Sequence, residues 1–121
     1  MMEDRKMALE EALKTYAGRL NDPDASASVT GPCGDTMEFY LNISDNRVSG
    51  IRFHADGCGY TSACGAVAAF YADGRRLEEA MFVSPGLILK TLGNVPEDHR
   101  HCAILAATTL YKALADHLLK D

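Results

Sequence analysis

The sequence has no excess of positive charge and no long apolar run. Twelve lysines and arginines stand against seventeen acidic residues, so the formal net charge is −5 at pH 7. A protein that binds the nucleic-acid backbone needs basic side chains that neutralise phosphates, and no basic cluster offsets this negative charge. No apolar segment approaches the roughly 20 residues that a transmembrane helix needs. The sequence therefore argues against a nucleic-acid partner and against a membrane span.

A signal-peptide pattern and a CxxC pair are also missing. The start, MMEDRKMALEEALKTY, has no apolar centre followed by a small-residue cleavage site, so we expect a cytoplasmic protein. Cytosolic thiols are usually kept reduced, which favours metal binding or catalysis over disulfides. The spacing of the cysteines matches no zinc finger or ribbon, so a shared site must assemble from distant segments. The four cysteines are Cys33, Cys58, Cys64 and Cys102.

The patterning predicts a single domain over residues 1–121, of the α+β class. Between Thr36 and Ile43 apolar and polar residues alternate, as in a strand with one buried face, and short turns predict a small three-stranded antiparallel sheet. Gly50 predicts a bulge in the third strand. Helical spacing predicts an N-terminal helix, a long C-terminal helix and others, all packed on one face of the sheet. The expected elements are helix 3–20, strands 26–31, 36–43 and 47–54, helices 60–72, 75–81 and 84–92, and helix 98–119.

The segment GPCGD at 31–35 holds a cysteine and an aspartate two residues apart. If the chain is already extended there, Cys33 and Asp35 point to the same side, and a thiolate and a carboxylate converge. The alternative is a tight turn in which Asp35 accepts a local hydrogen bond and Cys33 has no role. The residues alone leave both open.

Two more cysteines lie near predicted helix starts. Cys58, in DGCG, precedes helix 60–72, and a helix N-terminus lowers the pKa of a thiol. Cys102 lies on the apolar stripe of the last helix, so a core position is its simplest interpretation. His101 precedes it, about 100° away around the helix axis, and His99 in the same segment could be confused with it. The predicted stripe is Cys102, Leu105, Ala106, Thr109, Ala113 and Leu114.

Cys64 is interpreted as a packed, inert thiol, because it lies within a run of small residues. His54 and His117 are interpreted as ordinary strand-end and late-helix residues. Thiolates combined with an oxygen or nitrogen ligand can bind Zn²⁺ or an iron–sulfur cluster. The remaining candidates for one metal site are Cys33, Asp35, Cys58, His101 and Cys102.

Three motifs together resemble a known family. GPCGD, DGCG and HCAILA are similar, in order and spacing, to the three cysteine motifs of the U-type iron–sulfur cluster assembly scaffold family, which comprises the NifU N-terminal domain and IscU-like proteins. DGRRLEEA at 73–80 also resembles the segment that follows the second motif in that family. The similarity extends over about residues 26–119.

The resemblance implies a non-enzymatic scaffold. Such a protein binds iron and sulfide as a transient [2Fe–2S] cluster and transfers the cluster to apoproteins. The resemblance implies that Cys33, Asp35, Cys58 and Cys102 bind the cluster with His101 beside them, and that Zn²⁺ can occupy the same ligands in the isolated protein. The implied partners are a cysteine desulfurase, an iron donor and apo iron–sulfur proteins.

Two segments depart from the family pattern. Residues 19–24 read RLNDPD where the family usually carries Asn-Pro-Arg, a segment that often contributes to partner docking. Residues 93–97 read GNVPE where part of the family has the Pro-Pro-Val-Lys signal, so a contact with the dedicated chaperone is not expected. Two other functions stay open. One is a zinc-dependent acceptor of persulfide sulfur, with Cys102 as the candidate relay, and the other is a small domain with a structural zinc.

Overall fold

The structure, a computed structural model, describes residues 7–120. At its centre is a three-stranded antiparallel sheet in the order β1 (Ala25–Thr30), β2 (Thr36–Ser44) and β3 (Arg47–Asp56). The α+β prediction, with helices on one face of a small sheet, is confirmed. The helices are α1 (Leu9–Tyr16), α2 (Gly59–Ala72), α3 (Leu77–Ala80), α4 (Pro85–Leu92) and α5 (His101–Leu118), and a 3-10 turn covers Glu97–His99.

The alternation in β2 separates the two faces of the sheet. Met37, Phe39 and Leu41 are fully buried on the face that α2 and α5 cover. Glu38 and Tyr40 between them point the other way, because successive side chains of a strand alternate. The predicted strand pattern is thus confirmed, and it decides which face of the sheet receives the helices.

The bulge in β3 lies beside Gly50, as predicted. Asn42 pairs with Gly50 whereas Ile43 pairs with Val48, so Ser49 is left over between the two pairs. One extra residue on one strand is the definition of a bulge.

Helices α2 and α5 lie on the inner face of the sheet and contact each other. At Gly65 the backbone of α2 comes so close to the sheet that an added Cβ would lie 2.7 Å from the Phe53 ring. A larger residue there would push the helix away from β3. The apolar stripe of α5 is buried as predicted, at Cys102, Leu105, Ala106, Thr109, Ala113 and Leu114.

Helix α1 is shorter than the predicted helix 3–20, of which residues 3–6 lie outside the described part. The helix ends at Tyr16, and the prediction that it continues to residue 20 is wrong. Gly18 has a φ of +134°, and its N–H donates to the carbonyl of Phe53 at 2.8 Å. The chain therefore leaves the helix to bond to the edge of β3, where Ala17 pairs with Phe53.

The other helix ends follow local signals. Ser84 caps α4 by accepting a hydrogen bond from the Leu87 N–H at 3.1 Å, and Gly93 ends that helix with a φ of +68°. Helix α3 is shorter than the predicted range 75–81. The predicted helix 98–119 is divided, because the N–H of His99 bonds to the carbonyl of Pro96 in a 3-10 turn before α5 begins.

Candidate metal centre

Three chain segments meet where the sequence places its cysteine motifs. They are the turn between β1 and β2, the junction of β3 with α2, and the start of α5. Their side chains are joined by hydrogen-bond contacts between Asp35, Thr61, Cys58 and Cys102. The structure therefore brings Asp35, Cys58 and Cys102 of the predicted set together.

The first motif forms a tight turn and not the start of a strand. Gly31 donates its N–H to the Asp35 carbonyl at 2.8 Å, and Gly34 has a φ of +87°. The premise of an extended chain at Cys33 is wrong, because this turn closes before β2 begins. Cys33 is exposed, whereas Asp35 is half-buried and its carboxylate faces the junction of β3 with α2.

Thr61 connects the polar groups of the site. It is fully buried in the first turn of α2, and its hydroxyl donates to Asp35 Oδ2 at 2.7 Å. The hydroxyl oxygen of Thr61, Oγ1, also lies 3.5 Å from Cys58 Sγ and 3.5 Å from Cys102 Sγ. Sequence reasoning missed this residue. Its available signal was its position three residues after Cys58, on the same side of a helical turn.

Gly57 makes room for the carboxylate. A Cβ on this residue would lie 2.7 Å from Asp35 Cγ and 2.9 Å from Thr61 Oγ1. Both distances are shorter than van der Waals contact, so a side chain would displace one of those groups. The glycine that precedes Cys58 is thus required for Asp35 to reach the site.

Both histidines near α5 approach a sulfur atom. His99 Nδ1 lies 3.6 Å from Cys58 Sγ, and its ring stacks on Tyr60 with a centroid distance of 4.6 Å. His101 Nε2 lies 3.8 Å from Cys102 Sγ. The sequence predicted His101 as a ligand and left open whether His99 or His101 faces the site. In the structure His99 lies beside Cys58 and His101 lies beside Cys102.

The potential ligand atoms form two overlapping groups. Those of Cys58, His99 and Cys102 lie within 4.8 Å of one another, and so do those of Asp35, His101 and Cys102. Cys102 belongs to both groups because its sulfur lies between them, 4.0 Å from Asp35 Oδ2. Sulfur, nitrogen and carboxylate oxygen together suit Zn²⁺ or iron better than Mg²⁺ or Ca²⁺, which prefer oxygen ligands.

Four side chains that the sequence analysis considered lie outside both groups. Cys33 is exposed on the turn and lies in neither group. Cys64 is fully buried in the core, in agreement with its interpretation as a packed thiol. His54 lies on β3 opposite Glu38, and His117 lies in the last turn of α5.

The surroundings of Cys58 favour its thiolate. The Thr61 hydroxyl, the backbone N–H groups of Thr61 and Tyr60, and the ring of His99 together lower the pKa of Cys58 to about 7, against the opposing effect of burial. Donors at the start of a helix stabilise a negative sulfur. Cys58 is therefore ionised in a large fraction of molecules at neutral pH.

The pKa values of the two buried thiols, Cys64 and Cys102, are raised. Burial raises the pKa of Cys102, and the nearby charges of Cys58 and Asp35 act in the same direction, although the Thr61 hydroxyl opposes them. Burial raises the pKa of Cys64 to about 12. Cys102 and Cys64 are thus thiols at neutral pH, and a cation bound beside Cys102 would favour its thiolate.

The amino-acid sequence matches one family model over nearly its whole length. Residues 7–121 match the model described as NifU-like N terminal domain. The chain belongs to this family. Relatives support the assignment: the iron-sulfur cluster assembly scaffold protein IscU 1 of Archaeoglobus fulgidus is 34% identical over 105 residues, which cover 86% of this chain and 69% of that protein. The scaffold protein IscU of Haemophilus influenzae is 32% identical over 90 residues, covering 74% and 71%.

Solved structures agree with the fold of this NifU-like domain. The putative iron-sulfur cluster assembly scaffold protein for the SUF system from Fervidobacterium islandicum superposes with a TM-score of 0.72 at 19% identity, over 88% of this chain and 93% of that one. At this identity the likeness concerns the fold alone. The N-terminal part of a nitrogen-fixing NifU-like protein from Brucella abortus gives a TM-score of 0.52 at 27% identity, over 92% and 82%.

The helices of this NifU-like domain are short or interrupted by polar residues. Within residues 7–120, none combines the length and the apolar character that crossing a bilayer requires.

Proposed function

We propose that this NifU-like domain is a scaffold on which an iron–sulfur cluster is assembled and from which it is passed on. Iron and sulfide are then its substrates and the cluster is its cargo. The observation that carries the proposal is the pair of overlapping ligand groups that share Cys102. Two adjacent groups offer positions for two metal ions, which a [2Fe–2S] cluster needs. Family membership and the named function of the relatives support the same conclusion.

In this proposal Cys58, Cys102 and Asp35 bind the cargo, with Cys33 as the third thiolate. Cys33 sits on an exposed turn whose ends are joined by the bond from the Gly31 N–H to the Asp35 carbonyl. The proposal requires the turn or the Cys33 side chain to rearrange so that its sulfur reaches the cargo. His101 lies beside Cys102 and completes the predicted set.

A carboxylate ligand suits a cargo that must leave. Thiolates hold iron–sulfur clusters firmly, and carboxylate oxygen is a harder ligand that prefers harder cations. Asp35 is half-buried and therefore also admits water at the cluster edge. The proposed role needs no turnover of a substrate by the protein. It does need a cysteine desulfurase, an iron donor and apo iron–sulfur proteins as partners.

Anaerobic reconstitution tests this function. The reduced protein is incubated with ferrous iron, cysteine and a cysteine desulfurase, and visible sulfur-to-iron charge-transfer absorbance is followed. The parent protein and Cys64→Ala should develop the absorbance of a [2Fe–2S] cluster, whereas Cys58→Ala and Cys102→Ala should not. Absence of a cluster in the parent protein would reject the scaffold function.

A zinc-dependent sulfur acceptor is the second candidate, because Cys58, His99 and Cys102 are donors that Zn²⁺ prefers. In that function a thiol carries persulfide sulfur. Cys102 is fully buried, so the exposed Cys33 is the more accessible relay. Tight Zn²⁺ binding with persulfide on the protein, and no cluster, would favour this alternative.

A further inference from the structure

We infer that Cys58, His99 and Cys102 form a mononuclear site for a divalent transition-metal ion, the His99 site, and that the first ion to enter the protein binds there. The inference deepens the proposed function, because the ion would be the first iron of the cargo. The coordination chemistry itself does not depend on that role.

The distance between His99 Nδ1 and Cys58 Sγ already matches tetrahedral coordination. An ion with bonds of about 2.3 Å to sulfur and about 2.0 Å to nitrogen, at a tetrahedral angle, separates those two ligand atoms by roughly 3.5 Å. His99 Nδ1 and Cys58 Sγ are 3.6 Å apart. In the other group, Cys102 Sγ lies 3.8 Å from His101 Nε2 and 4.0 Å from Asp35 Oδ2, and both distances exceed the tetrahedral separation by more than the 3.6 Å pair does.

The donor set of the His99 site is the softer of the two. It offers two sulfurs and one imidazole, whereas the group with Asp35 offers one sulfur, one imidazole and one carboxylate. Thiolate and imidazole ligands select Zn²⁺, Fe²⁺ and Co²⁺ over harder cations. Two thiolates also cancel the charge of a divalent ion, which suits a site where Cys102 is fully buried.

Packing fixes the orientation of the His99 ring. The ring stacks on Tyr60 with an angle of 31° between the planes, and the backbone of His99 is held in the 3-10 turn by its bond to Pro96. A ligand that is oriented by contacts beyond the metal loses less freedom when an ion binds. The stack therefore prepares Nδ1 to face the sulfur of Cys58.

The His99 site is open on one side. A surface groove of about 410 Å³ runs along it, lined by Leu9, Cys58, Gly59, Tyr60, Ala63 and His99. Three protein ligands leave a fourth tetrahedral position, and an open position is what an incoming sulfide or a further thiolate needs. The groove thus gives the ion and its next ligand a route to the site.

Cobalt titration tests the His99 site. The full chain, reduced and stripped of metal, is titrated anaerobically with Co²⁺, and the sulfur-to-cobalt charge-transfer band and the visible d–d bands are recorded. Competition with a chelator gives the dissociation constant. We expect His99→Gln to raise the dissociation constant of the first Co²⁺ by at least about tenfold. Loss of a residue that only hydrogen-bonds to a metal ligand already costs about 10- to 100-fold in affinity. His101→Gln removes a ligand atom of the other group and should weaken the first Co²⁺ less than His99→Gln does. His117→Gln, in the last turn of α5, is the matched control and should leave the dissociation constant unchanged.

The result that overturns the inference is a dissociation constant for His99→Gln equal to that of the parent, or an effect of His101→Gln as large as that of His99→Gln. If His99→Gln does not fold, His99→Cys replaces it. Added charge-transfer intensity from a third thiolate then supports the site, and unchanged intensity overturns it.

Reconstitution of the same variants separates this inference from the proposed function. A cluster in the parent, together with equal Co²⁺ affinity in His99→Gln, rejects the His99 site and leaves the scaffold function standing. Absence of a cluster in the parent, together with Co²⁺ binding that requires His99, rejects the scaffold function and supports the site.

Discussion

Replacing Thr61 with valine should weaken the fold and the thiolate of Cys58 together. Valine has nearly the shape of threonine but lacks the hydroxyl that donates to Asp35 at 2.7 Å. A hydrogen bond to a charged group contributes about 1.5–3 kcal/mol, and water can replace part of it at a half-buried carboxylate. We therefore expect the free energy of unfolding to fall by about 1–2 kcal/mol. Urea unfolding of the reduced, metal-stripped protein measures this change.

The same variant should shift the reactivity of Cys58. The Thr61 hydroxyl, whose single proton can turn from Asp35 Oδ2 to Cys58 Sγ, is the largest cause of a Cys58 pKa of about 7. At pH 7 such a thiol is about half ionised, whereas an ordinary thiol with a pKa of about 8.5 is roughly 3% ionised. The helix N-terminus and His99 remain in Thr61→Val, so its labelling midpoint should lie between these values. Iodoacetamide labelling from pH 6 to 9, with peptide mass spectrometry to distinguish Cys58 from the exposed Cys33, gives the midpoint.

Thr61→Ser is the matched control. It keeps the hydroxyl and loses one methyl group, which costs about 0.8 kcal/mol of burial. Its Cys58 midpoint should stay near that of the parent. If Thr61→Val and Thr61→Ser give the same midpoint, or if Thr61→Val labels like the parent, the role assigned to the hydroxyl is refuted.

Three further changes follow from the site and the core. Cys64→Ala should keep metal and cluster binding at a cost of about 1–2 kcal/mol. Because burial raises the Cys64 pKa to about 12, its thiol stabilises the fold below its ordinary pKa and loses this effect as the pH rises towards 12. Urea midpoints of the variant should therefore fall less than those of the parent above about pH 9, and parallel curves would contradict this. Gly57→Ala should lower stability and metal affinity, since its Cβ would lie 2.7 Å from Asp35 Cγ, whereas Gly59→Ala meets no atom within 4 Å and serves as the control. An equal effect of both substitutions would refute the steric argument. Asp35→Ala should retain its cluster longer under an anaerobic chelator, measured as decay of absorbance, and equal or faster loss would reject a role of the carboxylate in release.

The parts of the fold that alternate or repeat were predictable. Met37, Phe39 and Leu41 recur every second residue, and burial of one face enforces that period. The end of α1 was not predictable from spacing, because Leu20 continues the helical pattern. A tertiary hydrogen bond from the Gly18 N–H to the Phe53 carbonyl ends the helix earlier, and no local signal shows where β3 will lie.

The three motifs that contribute to the site could be predicted from the sequence, but the contacts of Thr61 and His99 within it could not. Cysteines, an aspartate and a histidine are conspicuous because few structural roles need them beside glycines. Thr61 reads as an ordinary residue of a small-residue helix, and its role arises only because the turn that carries Asp35 packs against the start of α2. The ring of His99 stacks on Tyr60 beside Cys58, and this contact is also a product of packing.

The ligands come from segments that are far apart in the chain, so an ion bound to them acts as a reversible cross-link. Such an ion would join Cys58, at the junction of β3 with α2, to Cys102, at the start of α5. Closing a long loop restricts the unfolded chain, and an ion that binds only the folded form adds stability that rises with its concentration. Binding of the ion would then also stabilise this end of the domain. In the proposed function, a partner that moved one of these segments would weaken the coordination by all the ligands at once.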